Sequence, residues 1–174
     1  RALCLWGALQ VDLTHKAKTE EEREQADMLI GLLTPVIKGY GTDKGYEVAT
    51  NMQQVFGGHG YIEEWGMSQF VRDARIAQIY EGTNGVQAMD LCGRKLAQKG
   101  GAAIQAFFKA VGDDIGAAKG EDLGPLAEAL EKALGQQQAA TMWFMNNAMQ
   151  NPNHLGAGAH HYMHMMGIVT LGWM

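Results

Sequence analysis

Two short turns hold the residues of this chain whose types and spacing favour chemistry. The first is the glycine run Gly57-Gly58-His59-Gly60, and the second is the turn Tyr80-Glu81-Gly82-Thr83. Glycine lacks a Cβ, so such a run permits positive φ and lets a flat or anionic ligand lie against the backbone. The run fits neither a P-loop, which needs a following Lys-Ser or Lys-Thr, nor a dinucleotide fingerprint after a strand.

Glu81 is the candidate catalytic residue of the second turn. It is flanked by Ile79, Tyr80 and Gly82, and a carboxylate that loses water to apolar neighbours gains the basicity that proton abstraction near neutral pH requires. The same spacing fits a glutamate that stabilises a helix start through the helix dipole. The residues alone leave both interpretations open.

A second group of candidate ligands lies near the C-terminal end. His160 and His164 stand one helical turn apart, with His161 beside them, and two imidazoles on one helix face are part of a transition-metal ligand set. No companion carboxylate stands nearby in the sequence, which makes the metal interpretation weak. We therefore interpret the histidines as polar-face or interface residues and expect no metal site.

Composition limits the classes of partner and compartment. The formal net charge is −5, and without a basic face we expect no nucleic-acid partner. No run approaches the roughly 20 apolar residues of a membrane span, and no signal peptide is evident. Cys4 and Cys92 both lie in apolar helical patterns, so we expect buried free thiols in a reducing compartment, with the cytoplasm as the default.

The hydrophobic spacing predicts an all-α fold. Apolar residues recur at three-four spacing, and sustained alternation of the strand type is absent from the sequence. Thr19 is the expected N-cap of the second helix, Pro35 is expected to kink or end its regular part, and glycines at 39 and 41 are expected to break the chain. The predicted helices cover residues 1–18, 19–38, 42–57, 70–79, 83–99, 103–111, 125–150 and 155–174.

A change of composition divides the chain. Residues 102–174 are rich in Ala, Gln and Met, so we divide the chain into a helical domain at 1–101 and a helical extension at 102–174. The extension either packs on the first part or forms a second small bundle. Its methionines are expected to fill the core or an interface adaptably; they are Met142, Met145, Met149, Met163, Met165 and Met166.

Two motifs in the first part point to a family. The stretch from Ala49 to Leu96, above all QVFGGHGY, FVRDARIAQIYEGT and the following Gln87, closely resembles the C-terminal helical domain of the acyl-CoA dehydrogenases. The two motifs occur in the same order as in the family and are separated by the same distance along the chain. Residues 1–48 resemble the preceding helices of that domain more loosely. Residues 102–174 resemble the extra C-terminal region of longer bacterial members, including 3-methylmercaptopropionyl-CoA dehydrogenases.

This resemblance implies a bacterial FAD-dependent enzyme that oxidises an acyl-CoA thioester to its trans-2-enoyl form. Glu81 falls on the family's base, which takes the α-proton while a hydride passes to the flavin. Tyr80 and Gly82 are then expected to shape the substrate pocket. Nothing in these residues fixes the acyl chain length, although the character of the extension favours a short or medium acyl group.

The resemblance also assigns cofactor contacts. Thr83 corresponds to a contact with FAD, whereas Gln54, Gly57 and Gly58 match the loop that binds the adenosine side of FAD from the neighbouring subunit. Such sharing implies a homodimer or a larger homo-oligomer. Electron-transfer flavoprotein is the implied electron acceptor. One departure is Gly85, at a position where some members carry a glutamine that contacts the flavin.

The resemblance covers only part of what such an enzyme needs. The chain opens and closes within apolar patterns, so we expect a piece of a longer chain. Counterparts of the family's N-terminal helical domain, its middle β-domain and the first helix of its C-terminal domain are missing from these residues. We therefore expect the isolated chain to be inactive. The alternative is a non-catalytic helical assembly module that kept the fold.

Overall fold

A computed structural model describes residues 1–120, 122–148 and 150–174 of the chain. All regular structure within these ranges is helical, which confirms the all-α prediction. Met149, one of the methionines assigned to core or interface filling, lies outside the described residues. The helices are α1 (Ala2–Lys16), α2 (Glu20–Val55), α3 (Gly58–Tyr61), α4 (Met67–Ala77), α5 (Asn84–Asp90), α6 (Ala102–Ala118), α7 (Gly124–Asn147) and α8 (Pro152–Trp173).

The start of α2 follows the sequence prediction. The Thr19 hydroxyl accepts a hydrogen bond from the Glu22 backbone N–H at 3.2 Å, and the Glu22 carboxylate accepts one from the Thr19 N–H at 3.1 Å. This capping box satisfies two N–H groups that have no partner inside the helix. Glutamates at 20, 21 and 22 also face the positive end of the helix dipole.

The break predicted within α2 is wrong. The helix runs for 36 residues, through Pro35 and through the glycines at 39 and 41. Gly39 serves close packing instead, because a Cβ there would lie 2.5 Å from the Met163 Sδ of α8. Thr42 caps no new helix, and its hydroxyl donates to the Lys38 carbonyl at 2.6 Å inside α2. These residues therefore bring α8 close to a continuous helix.

One hydrophobic core joins the two halves of the chain. Leu33 and Val36 of α2, Leu91 just after α5, Phe107 of α6 and Met163 of α8 are all fully buried and belong to one packed cluster. The extension therefore packs on the first part of the chain. No helix in the three described ranges is long and apolar enough to cross a membrane.

Helix α1 leaves several of its large apolar side chains exposed, including Leu5 and Leu9. Gly7 packs against α2, where its Cβ position is 3.2 Å from the Ile37 side chain, and α1 is turned with Leu3 inward and Leu9 outward. Cys4 is consequently exposed, and the expectation that it is buried is wrong. Cys92 is buried as expected, and burial raises the pKa of its thiol to about 12.

The closest contact between α2 and α8 gives a stability prediction. Gly167 of α8 lies so near the ring of Tyr40 that an added methyl group would overlap the ring. We expect Gly167→Ala to lower the free energy of unfolding by about 1–3 kcal/mol, because Tyr40 or α8 must shift. Differential scanning calorimetry of the intact protein measures the effect as a lower Tm.

Gly156→Ala is the matched control on the same helix. No atom lies within 4 Å of its Cβ position, so alanine should leave the Tm unchanged or raise it slightly through its higher helix propensity. Equal Tm values for the two variants would contradict the close packing of α8 on α2.

Candidate active site

The turn between α4 and α5 holds Glu81 in an uncommon backbone conformation. Its φ is 54°, in the left-handed region that residues other than glycine rarely adopt. Gly82 follows with φ of 83°, a conformation that glycine adopts without a steric penalty. A non-glycine residue in this region costs on the order of 1–3 kcal/mol and persists only where its surroundings fix it.

Two side chains fix the backbone of this turn. The Lys38 ammonium of α2 donates to the Gly82 carbonyl at 2.6 Å. The Gln87 side-chain amide of α5 donates to the Glu81 carbonyl at 3.1 Å. The backbone carbonyls of Glu81 and Gly82 therefore both accept a hydrogen bond, the first from α5 and the second from α2.

Asn84, the first residue of α5, connects the turn to α2. It is only 8 % exposed, and the two N–H groups of its side chain are shared among three acceptors, the Gly39 carbonyl at 2.9 Å, the Thr42 hydroxyl at 2.9 Å and the Asp43 carboxylate at 2.7 Å. Its side-chain oxygen accepts a hydrogen bond from Lys38 at 2.9 Å. One buried amide thus contacts four residues on two adjacent turns of α2.

Asp43 extends this network to the C-terminal helix. Its carboxylate also accepts a hydrogen bond from the Gln78 amide at 2.6 Å and lies 3.0 Å from the His164 Nε2 of α8. Burial by itself would raise the pKa of Asp43, but hydrogen bonds from Asn84, Gln78 and His164 together hold it below its usual value. A charged carboxylate therefore lies between α8 and the two ends of the Glu81 turn.

The predicted catalytic and substrate residues lie together in this turn, and their side chains face solvent. Tyr80 is 53 % exposed, and Glu81 and Gly82 are also exposed. The described residues therefore leave Glu81 hydrated, in contrast to the desolvation that the sequence suggested. Thr83 occupies the N-cap position of α5, but its side chain makes no capping hydrogen bond there.

The predicted adenosine loop lies elsewhere in the chain. Gln54, Gly57 and Gly58 are exposed at the C-terminal end of α2, where Gly57 has φ of 59° and a Cβ on either glycine would meet no atom within 4 Å. At 1.5 Å per residue, Gln54 lies about 24 Å along α2 from Lys38, which contacts the Glu81 turn. The fold thus separates the two sets of predicted site residues.

The residues that hold the turn carry only weak sequence signals. Asn84 stands four residues before Ala88 and seven before Leu91, both buried, so helical spacing places it on the buried face of α5. A polar residue on that face needs a partner, and this was the available signal. Lys38 and Asp43 look like ordinary polar positions in the sequence, because their partners lie about 40 residues away.

Cavity size does not mark this site. A groove of about 590 Å³ lies between α1, α2 and the end of α8 and is lined by Trp6 and Trp173 among others, with none of the predicted site residues. A more apolar groove of about 470 Å³ between α1 and α2 reaches Lys38 and Thr42 and so adjoins the Asn84 network. The site is therefore defined by the strained turn and its hydrogen bonds.

Comparisons with known proteins identify the family. Residues 8–96 match the family described as "Acyl-CoA dehydrogenase, C-terminal domain", and residues 101–174 match "Acetyl-CoA dehydrogenase C-terminal like". The chain belongs to the acyl-CoA dehydrogenase family, which confirms the resemblance of its two motifs.

Individual relatives agree with this assignment. The chain is 35 % identical to 3-methylmercaptopropionyl-CoA dehydrogenase of Ruegeria pomeroyi over 99 % of its length. It is 33 % identical to a butyryl-CoA dehydrogenase of Syntrophomonas wolfei over 76 % of its length. The crystal structure of Caenorhabditis elegans ACDH-11 in complex with C11-CoA matches 96 % of the chain with a TM-score of 0.74 at 27 % identity. The chain spans 30 %, 22 % and 28 % of these three proteins, respectively.

The Asn84 network leads to a prediction about the mobility of the turn. Asn84→Ala leaves the Gly39 carbonyl without its side-chain donor and removes one partner of Asp43, so it should destabilise the protein by about 1–3 kcal/mol. It should also release the turn, since Lys38 loses one of its two acceptors. Hydrogen exchange of the intact protein should then be faster at residues 80–87 than in wild type.

Asn147→Ala is the matched control. Within the described residues the Asn147 side-chain amide donates to the Trp143 carbonyl of its own helix, and it is partly exposed. Exchange at residues 80–87 should therefore be unaffected. Unchanged exchange in the Asn84 variant would mean that the turn keeps its conformation without the buried amide.

Proposed function

We propose that this chain is the C-terminal part of an FAD-dependent acyl-CoA dehydrogenase that converts an acyl-CoA thioester into the trans-2-enoyl-CoA. The observation that carries the proposal is Glu81 at φ of 54°, fixed by Lys38, Asn84 and Gln87. A strained residue that is held this firmly is typical of a functional site. Membership of the family supports the reaction class, since two of the relatives named above are dehydrogenases of acyl-CoA substrates.

In the proposed reaction Glu81 acts as the base. Its carboxylate takes the α-proton of the thioester, and FAD, when bound, supplies the acceptor for the hydride that leaves the β-carbon. The two C–H bonds break and a C=C bond forms, so the substrate loses two electrons and the proton stays on Glu81. The fixed turn orients the carboxylate before the substrate arrives, which removes part of the entropic cost of the proton transfer.

The carboxylate of the proposed base must also be desolvated for the reaction. Glu81 is exposed in the described residues, so the bound thioester and the rest of the active site have to exclude water from it. Loss of water strengthens a carboxylate as a base and strengthens the electrostatic interactions that stabilise the developing enolate. Tyr80 and Gly82, on either side of Glu81, are the residues of this chain that would line the substrate side of the turn.

The proposed FAD contacts are compatible with the local structure. The exposed Thr83 hydroxyl makes no hydrogen bond with the described part of the chain, so it is available to a ligand. Gly57 and Gly58 leave open space where a Cβ would be, and Gln54 precedes them. We propose that Thr83 holds FAD in one subunit and that residues 54–58 contact the FAD of its neighbour, with electron-transfer flavoprotein as the electron acceptor.

Replacing the base tests the reaction. Glu81→Gln in the full-length enzyme keeps the shape of the side chain and removes its basicity, so acyl-CoA dehydrogenation should fall by at least about a hundredfold with FAD still bound. The rate is measured with an artificial electron acceptor, and bound flavin is measured from its absorbance. Glu64→Gln, an exposed glutamate outside the turn, is the control and should keep the wild-type rate.

Two results would contradict the proposal. Activity of Glu81→Gln within a few-fold of wild type would place the base on another residue. A full-length wild-type protein that binds no flavin and reduces no acceptor would instead favour the non-catalytic assembly module.

An exposed apolar surface supports the proposed homo-oligomer. It surrounds α3 and α4, and several of its large side chains are more than half exposed, including Val55, Tyr61, Trp65, Phe70 and Ile76. Apolar area concentrated in this way is typical of a protein interaction surface. It also lies next to residues 54–58, which the proposal places against the cofactor of the neighbouring subunit.

A substitution on this surface tests the assembly. Phe70→Asp should shift the full-length protein toward the monomer and reduce its FAD content, because it puts a charge into a buried subunit contact. Leu126→Asp on α7 is the control: Leu126 is 70 % exposed against 66 % for Phe70, and it lies on a different helix. Light scattering after size-exclusion chromatography measures the mass. A wild-type protein that is monomeric with FAD fully bound would contradict the proposal that neighbouring subunits share the FAD site.

A further inference from the structure

The histidine pair of α8 has a carboxylate partner that the sequence order does not show. The rings of His160 and His164 are in contact, with centroids 4.2 Å apart and planes tilted by 42°, and the His164 Nε2 lies 3.0 Å from the Asp43 Oδ2 of α2. One ligand atom from each of these three residues lies within 4.8 Å of the other two. The fold thus completes a set of two imidazoles and one carboxylate.

Neighbouring side chains hold two members of this set, Asp43 and His164, in place. The other oxygen of Asp43, Oδ1, accepts hydrogen bonds from the Gln78 and Asn84 amides at 2.6 and 2.7 Å, which fixes the carboxylate with Oδ2 toward the histidines. The ring of Tyr40 contacts the His164 ring edge to face at 5.2 Å. Hydrogen bonds and packing of this kind, behind the ligands, are what preorganises a metal site.

We propose that Asp43, His160 and His164 bind a divalent transition-metal ion, with Zn²⁺ as the best fit. Two neutral imidazoles and a carboxylate are ligands that Zn²⁺ accepts, at about 2.0–2.2 Å each. Tetrahedral ligands at that distance are about 3.4 Å apart, and the Asp43–His164 pair at 3.0 Å is already near this value. His160 is exposed, so its ring can rotate to close the remaining gap. Water would fill the positions that the protein leaves open.

The ion would change how the extension is held. Asp43 lies on α2 and the two histidines lie on α8, so a shared ion cross-links the two helices. Because Asn84 contacts the same Asp43, the cross-link joins the network that fixes the Glu81 turn. Ion binding should therefore stabilise the folded protein, and above the Kd the gain should rise with the logarithm of the free ion concentration.

Zinc titration of the intact protein tests the site. After removal of metals with EDTA and dialysis, isothermal titration calorimetry with ZnCl₂ should detect one site per chain, and saturating Zn²⁺ should raise the Tm. His160→Ala should weaken this binding at least about tenfold, because a lost ligand costs no less than a lost outer-shell partner. The exposed His160 ring has no hydrogen-bond partner within the described ranges, so the metal-free variant should keep the wild-type Tm.

His161→Ala is the matched control. His161 is the adjacent exposed histidine and is not part of the Asp43 set, so this variant should bind Zn²⁺ as wild type does. Asp43→Asn is a second variant, which keeps the hydrogen-bonding shape and should also weaken binding. Absence of Zn²⁺ binding in wild type, or equal affinities in the His160 and His161 variants, would overturn the proposal. These measurements need no enzymatic turnover, so their outcome is independent of the reaction proposed above.

Discussion

The buried amide of Asn84 is the interaction on which the rest of the candidate site depends. It is the point where α5, the middle of α2 and, through Asp43, α8 are held together. The left-handed backbone at Glu81 is unfavourable by itself, and hydrogen bonds from Gln87 to the Glu81 carbonyl and from Lys38 to the Gly82 carbonyl offset that cost. The proposed base Glu81 is thus placed beside a network of hydrogen bonds that restricts the movement of its backbone.

The features that the sequence predicted well are those decided by nearby residues. The capping box of Thr19 and Glu22 lies within one turn, so the start of α2 can be predicted from four consecutive residues. The Glu81–Gly82 turn is likewise local, because glycine and the end of an apolar helical pattern mark it directly. The family motifs made the same turn recognisable as a candidate catalytic site.

The features that were missed depend on residues far apart in the chain. Glycine at 39 is compatible with a chain break and with close helix packing, and only the presence of Met163 against it decides between them. Asp43 and His164 are 121 residues apart, so no spacing rule could pair them. The same reason hid Cys4, whose exposure follows from the rotation of α1 that Gly7 permits.

Because α2 is continuous, a tilt about its middle also displaces its C-terminal end. Its middle is pinned to the Glu81 turn, whereas Gln54, about 24 Å further along, lies on the exposed apolar surface beside the glycine run. A tilt of about 3° around the Asn84 contact would move that end by about 1.3 Å, which is comparable to displacements that change catalytic rates substantially. Had the helix been broken at Gly39–Gly41, the two ends could move separately. Because α2 is continuous, the position of the Glu81 turn is mechanically coupled to the position of residues 54–58 at the far end of the same helix.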